Sequence, residues 1–222
     1  MGIDMIQQLA YCLIIYFSVF YCSQLIRKYI RNFRGASFVR MVLFFVPYIL
    51  PLFVFNVVDS ITAVTEKGTV LIGLLLAIVP SIIALIVQFK SFKVFLSKDI
   101  YYLINPISLE QFLLIEASLL GSVIAEELFY RNLIPDVLNL WKESYVAIIA
   151  SLLFTLSHFL QKDTRETCTL STYFILFLLG LSWISSILYT GNIIFPMLGH
   201  LIYNLPNIII AVFKFYLPSR LK

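Results

Sequence analysis

Long uncharged apolar runs, separated by short clusters of basic residues, set the pattern of this chain. The stretches Met5 to Ile26, Met41 to Val58 and Gly68 to Phe89 hold no formal charge. Each is long enough for a helix to cross a hydrocarbon layer, which takes about 20 residues. Pro47, Pro51 and Pro80 fall inside them, where a membrane helix accommodates a kink better than a soluble one. A fourth apolar stretch, Leu109 to Tyr130, differs by carrying Glu116, Glu126 and Glu127, and a fifth runs from Ser144 to Gln161. From Thr167 to Phe213 no Asp, Glu, Lys or Arg occurs, and the turn-prone Thr190, Gly191 and Asn192 divide this span into a sixth and a seventh helix. The pattern predicts an all-α, polytopic transmembrane helix bundle of about seven crossings. It has an N-terminal part, 1–107, with three helices, and a second part, 108–222, with four.

Composition agrees. At 61% hydrophobic and 13% charged, the 222 residues cannot cover a soluble globule, which uses about twice that charged fraction. Charge then sets orientation. Arg27, Lys28, Arg31, Arg34 and Arg40 fill the first gap, Lys90, Lys93 and Lys98 the third, and Lys214, Arg220 and Lys222 the tail, whereas the second gap has Lys67 against Asp59 and Glu66. By the positive-inside rule a multi-pass protein of the plasma membrane results, with its N terminus outside and its C terminus cytoplasmic. The net charge of +4 is thereby explained by topology and anionic-lipid contact, and no nucleic-acid partner is expected. Cys12, Cys22 and Cys168 have no paired spacing and read as core-filling thiols. No cleavable signal is expected, because Asp4 stands where a basic leader would be and the first apolar run is too long.

Carboxylates at membrane depth must be neutral, paired or wetted. Arg131 follows Glu127 by four residues, one helical turn, and can pair with it or anchor the helix end at the headgroups; Glu126 points about 100° away and has no such partner. His158 and His200, the only histidines, both lie inside predicted spans, with Phe154 four before one and Asn204 four after the other. If the fourth and fifth helices turn back on each other near Lys142, Glu126 and His158 stand about 24 Å from the turn and level with each other. Glu116, eleven residues before Glu127, reads as a cavity-facing polar residue, and Phe154, among 20 Phe and 13 Tyr, as packing by default.

These residues resemble a family. Glu126-Glu127-Leu-Phe-Tyr-Arg131, Phe154 to His158 and His200 to Asn204 are similar, in order and spacing, to the EExxxR, FxxxH and HxxxN motifs of the CAAX protease and bacteriocin-processing (CPBP, or Abi) intramembrane endopeptidases. The resemblance covers residues 109 to 213 and departs at Asn132, where many members have glycine. It implies that Glu126 activates water, with His158, His200 and Asn204 converging on it and Glu127, Arg131 and Phe154 in support. Two mechanisms follow from it. In one, no cofactor takes part: Glu126 and His158 act on water and His200 and Asn204 stabilise the oxyanion. In the other, zinc is held by His158, His200 and Glu126. Since HExxH is absent and Asn is a poor zinc ligand, the metal-free version is favoured. The expected partners are membrane lipids and a membrane-associated peptide or protein substrate, in bacterial peptide maturation or bacteriocin self-immunity. The alternative is a non-proteolytic immunity or scaffold protein, or a proton-coupled carrier using Glu and His.

Overall fold

A computed structural model describes residues 3–31, 33, 35–55, 57 and 67–220. Seven long helices carry the fold: α1 (Ile3–Tyr29), α2 (Ala36–Val54), α3 (Lys67–Val87), α4 (Leu109–Glu127), α5 (Glu143–Leu160), α6 (Leu170–Thr190) and α7 (Ile194–Arg220). No strand occurs among the described residues. Six of the seven are long and apolar enough to cross a membrane. The exception, α4, carries Glu110, Glu116, Glu126 and Glu127, yet it runs through the same bundle as the others. Predicted and observed bounds agree to within a few residues, except that α2 starts five residues early and takes in Arg40, and α7 runs seven residues past Phe213 to Arg220. The predicted end of that run, Val58, lies outside the described residues.

Contacts between the helices fix their directions. Cys22 and Pro47 line one side of a groove whose far end holds Ile14 and Val54, so α1 and α2 are antiparallel. Ser186 donates to the Gly73 carbonyl at 3.0 Å and Ser182 to that of Leu76, which sets α6 antiparallel to α3. Phe112 stacks on Phe215 at 4.9 Å while Glu127 reaches His200, so α4 and α7 are antiparallel as well. At one end of the bundle Gln8 donates to Asn139 and Trp141 to the Met5 carbonyl. At the other, Ile107 N–H donates to the Lys214 carbonyl, and Arg27, Arg31 and Arg40 gather where α1 passes into α2. Every long helix reverses the one before it, and the basic clusters fall at one end.

Local signals explain where α4 begins and how it ends. Ser108 accepts from the Gln111 N–H at 3.1 Å while the Gln111 side chain accepts from the Ser108 N–H at 2.9 Å, a reciprocal cap of the first turn. Past Glu127 the winding loosens into a π-helical segment, Leu128–Leu133, before a short α-helical turn, Ile134–Val137, and the reversal into α5. Such segments carry one residue more than an α-helix and are found mostly at functional sites. Asn132 within it donates to the Val57 carbonyl at 3.0 Å, tying the segment to the chain beyond α2. Of the three cysteines, only Cys12 is buried; Cys168 is half-buried and Cys22 exposed, which corrects the expectation of three core-filling thiols. Residue 22 lies on the outer face of α1, where apolar side chains such as Tyr21 and Phe17 also point outward.

Candidate active site

The end of α4, together with the π-helical segment, sets two adjacent carboxylates on different faces. Glu127 faces inward and is fully buried. Its Oε1 is 2.8 Å from His200 Nδ1 on α7, and its Oε2 is 3.3 Å from Arg131 Nε, one turn on. A carboxylate only accepts in its charged form, so Nδ1 of His200 carries the proton. Arg131 is just 2% exposed and does not reach a headgroup layer; it is the partner of Glu127. Its two terminal nitrogens have no hydrogen-bond acceptor. Aromatic faces take that place: the guanidinium carbon stands 4.3 Å from the Phe154 ring centre and 5.5 Å from that of Trp183, within cation–π range.

Phe154 is the hub of this centre. Its ring lies 4.7 Å from His158, 6.0 Å from His200, 5.9 Å from Trp183 and 5.5 Å from Tyr130. The face of the His200 imidazole is covered by Trp183, with centroids 4.7 Å apart and planes 19° from parallel. The Trp183 indole N–H in turn donates to Ser81 at 3.1 Å and to the Ala77 carbonyl at 3.3 Å. Neither Trp183 nor α6 was expected at the site. The signal was a tryptophan, one of only two in the chain, in the middle of an uncharged span and flanked by Ser182, Ser185 and Ser186. Glycine gives α7 its approach: a Cβ on Gly199 would lie 2.5 Å from the Ala77 carbonyl oxygen and 2.7 Å from the indole nitrogen.

Glu126 faces away from that centre into a cavity of about 920 Å³ that it shares with His158. Its Oε2 is buried without a hydrogen-bond partner. His158 Nδ1 is 2.9 Å from the Phe154 carbonyl. A carbonyl only accepts, so Nδ1 donates, and in the neutral ring Nε2 is left with a free lone pair. Gln111, Ser118 and Ser122 line the same cavity along α4 and form a polar stripe of about 22 Å from Gln111 to Glu126. Glu116 is not among the lining residues. Asn204 stands one turn beyond His200 on α7, half-buried and outside the Glu127, Arg131 and His200 set.

The residues expected at the site thus fall into two layers. Glu126 and His158 share the cavity, while Glu127, Arg131, His200 and Phe154 form the buried centre behind it. Glu127 Oε1 takes the His200 hydrogen bond, and Oε2 faces Arg131 as an ion pair without a hydrogen bond. Among the described residues no three His, Cys, Asp or Glu side chains are grouped to hold a metal ion.

Residues 108–206 match the family model described as Rce1-like, type II CAAX prenyl endopeptidase Rce1-like. The matched segment holds α4, α5, α6 and the start of α7, and with them every residue of both layers. Neither a curated protein nor a solved structure matches the chain.

Proposed function

With residues 108–206 forming an Rce1-like domain in a multi-pass membrane protein, we propose that the chain is an intramembrane endopeptidase in which Glu126 is the general base, acting on water without a metal. The observation that carries this reading is the division of labour between the two glutamates: Glu127 is hydrogen-bonded to His200 and ion-paired with Arg131, whereas Glu126 has no ion pair among the described residues and opens on a cavity beside His158. A base needs a proton acceptor within reach of water, and the polar stripe of α4 supplies the route for water to reach it.

In this mechanism water bridges Glu126 and Nε2 of His158. Glu126 takes a proton as the water oxygen attacks the peptide carbonyl carbon. Protonated His200, held through Nδ1 by Glu127, offers its Nε2–H to the oxyanion, with Asn204 as a second donor. Glu126 then returns the proton to the amide nitrogen as the C–N bond breaks. Glu127, Arg131 and Phe154 are positioning residues that hold His200 in place.

The substrate class that fits is a membrane-associated peptide or protein, with maturation of a secreted bacterial peptide or self-immunity to a bacteriocin as the biological setting. The basic end of the bundle faces the cytoplasm of a cell whose plasma membrane holds the protein, as the positive-inside rule directs. Purified protein in proteoliposomes, given a fluorogenic membrane peptide, tests the reading. Glu126→Gln and His158→Gln are each expected to lower kcat at least about a hundredfold with folding retained, since general acid–base groups contribute on that order, and a chelator leaves the parent activity unchanged. Full activity in Glu126→Gln overturns it; a scaffold would keep its phenotype in that variant, and a carrier would show flux without cleavage.

A further inference from the structure

Three arginines share the cavity of Glu126 and His158, and the proposed chemistry uses none of them. Arg27 comes from the end of α1, Arg31 from just beyond it and Arg40 from the first turns of α2. Glu126 is the one acidic residue lining that cavity among the described residues, and none of the three arginines forms an ion pair there. Two are held in place by the protein: the Arg27 guanidinium lies 4.8 Å over the Phe44 ring, and Arg31 Nε donates to the Arg27 carbonyl at 3.0 Å. Three cationic forks lining one cavity against a single carboxylate leave a cationic excess that favours an oxyanion.

The neighbouring groove says what carries that oxyanion. Between α2 and α4 runs a second, apolar cavity of about 520 Å³, and Met41 and Phe45 line both. It follows α2 from Met41 to Phe53, about 18 Å at helical rise. One leaflet of a bilayer is about 15 Å of hydrocarbon. The groove therefore begins beside the arginines and runs the depth of one leaflet. Gly121 lets the Phe45 ring pack directly on α4 at the wall of this groove, since a Cβ there would lie 2.6 Å from it.

We propose that Arg27, Arg31 and Arg40 with the α2–α4 groove form a binding site for an anionic diacyl phospholipid, its phosphate at the arginines in the mouth of the Glu126 cavity and one acyl chain between the helices. The arginines lie outside the matched segment, on the α1 and α2 side, while the groove runs between α2 and α4 of that segment, and its occupancy is independent of whether the protein cleaves peptides.

Native mass spectrometry of the full chain, released from micelles doped with phosphatidylglycerol or phosphatidylcholine of identical chains, tests this. The parent protein is expected to retain phosphatidylglycerol about tenfold or more over phosphatidylcholine, since each basic residue near a headgroup contributes about fivefold. The triple variant Arg27→Gln, Arg31→Gln, Arg40→Gln brings that ratio close to one. Should the triple variant fail to insert, the three single substitutions carry the test, each lowering the ratio about fivefold. Ala117→Phe, which fills the groove from the exposed face of α4, lowers retention of both lipids and leaves their ratio unchanged. Equal retention of the two lipids by the parent overturns the proposal, as does a ratio that survives loss of the arginines. Retention untouched by Ala117→Phe, or full displacement by glycerol 3-phosphate, means that phosphate alone is read. Displacement by a short peptide through its free carboxylate assigns the arginines to substrate instead.

Discussion

Glu127 and Glu126 are neighbours in sequence with opposite circumstances, and their substitution separates them. Burying a charge is tolerable only with its partners in place, and removing one partner of a buried set costs about 3–5 kcal/mol. Glu127→Gln leaves Arg131 and His200 facing each other without a counter-charge. Thermal unfolding in detergent is expected to show a loss of that order, whereas Glu126→Gln, at the wall of a cavity, stays within about 1 kcal/mol of the parent. Equal melting temperatures in the two variants would refute the two-layer description. The pairing of Glu127 with Arg131 was legible from sequence because four residues are one turn. The role of Phe154 was legible only as a motif position. What makes it central is that rings from α5, α6 and α7 and a guanidinium from the π-helical segment meet on it, and no local spacing encodes such a meeting.

Each apolar run made its helix visible, but not how far one helix is rotated against the next. That is why His200, expected to converge on Glu126, was found on Glu127 instead: the two glutamates differ by about 100° of helical phase, and only packing of α7 against α4 decides which of them it meets. Gly199 governs that packing. Gly199→Ala puts a methyl group against the Ala77 backbone and the Trp183 indole, so α7 must move outward, at a cost of about 1–3 kcal/mol. Because His200 is the next residue, peptide cleavage is expected to fall on the order of a hundredfold for a displacement near 1 Å; unchanged turnover would show that α7 has room to spare. The π-helical segment sets phase in a comparable way. Deleting one residue within Leu128–Leu133 should let it wind as ordinary α-helix and rotate all of α4 above it by about 100°. The variant is expected to insert and to be inactive, with Glu126 turned from the cavity; retained activity would mean that the extra residue is dispensable.

Seven passes, not six, follow from the alternation of helix directions, and α4 is the pass that composition alone undercounts. Its four carboxylates depress its apolar character; of these Glu126 opens on the cavity and Glu127 pairs inside the bundle. Single-cysteine labelling in a cysteine-free background checks the count. Asn139→Cys is expected to react from the side of the N terminus, and Lys93→Cys from the opposite side. Labelling of both positions from one side would remove α4 as a crossing. At this scale the sequence was a good guide, since charge in the gaps and length of the runs are additive along the chain. The arginines were read from it as topology signals and anionic-lipid contacts, their common cavity being a product of the folded arrangement. The arginines of the basic end line that cavity, and Leu133, Ile134 and Leu138, past the far end of α4, are fully buried. The two faces of the membrane are consequently unequal to the enzyme. In the proposed mechanism each hydrolysis would draw its water from the basic side and exchange its protons there, so turnover would answer to the acidity of that compartment.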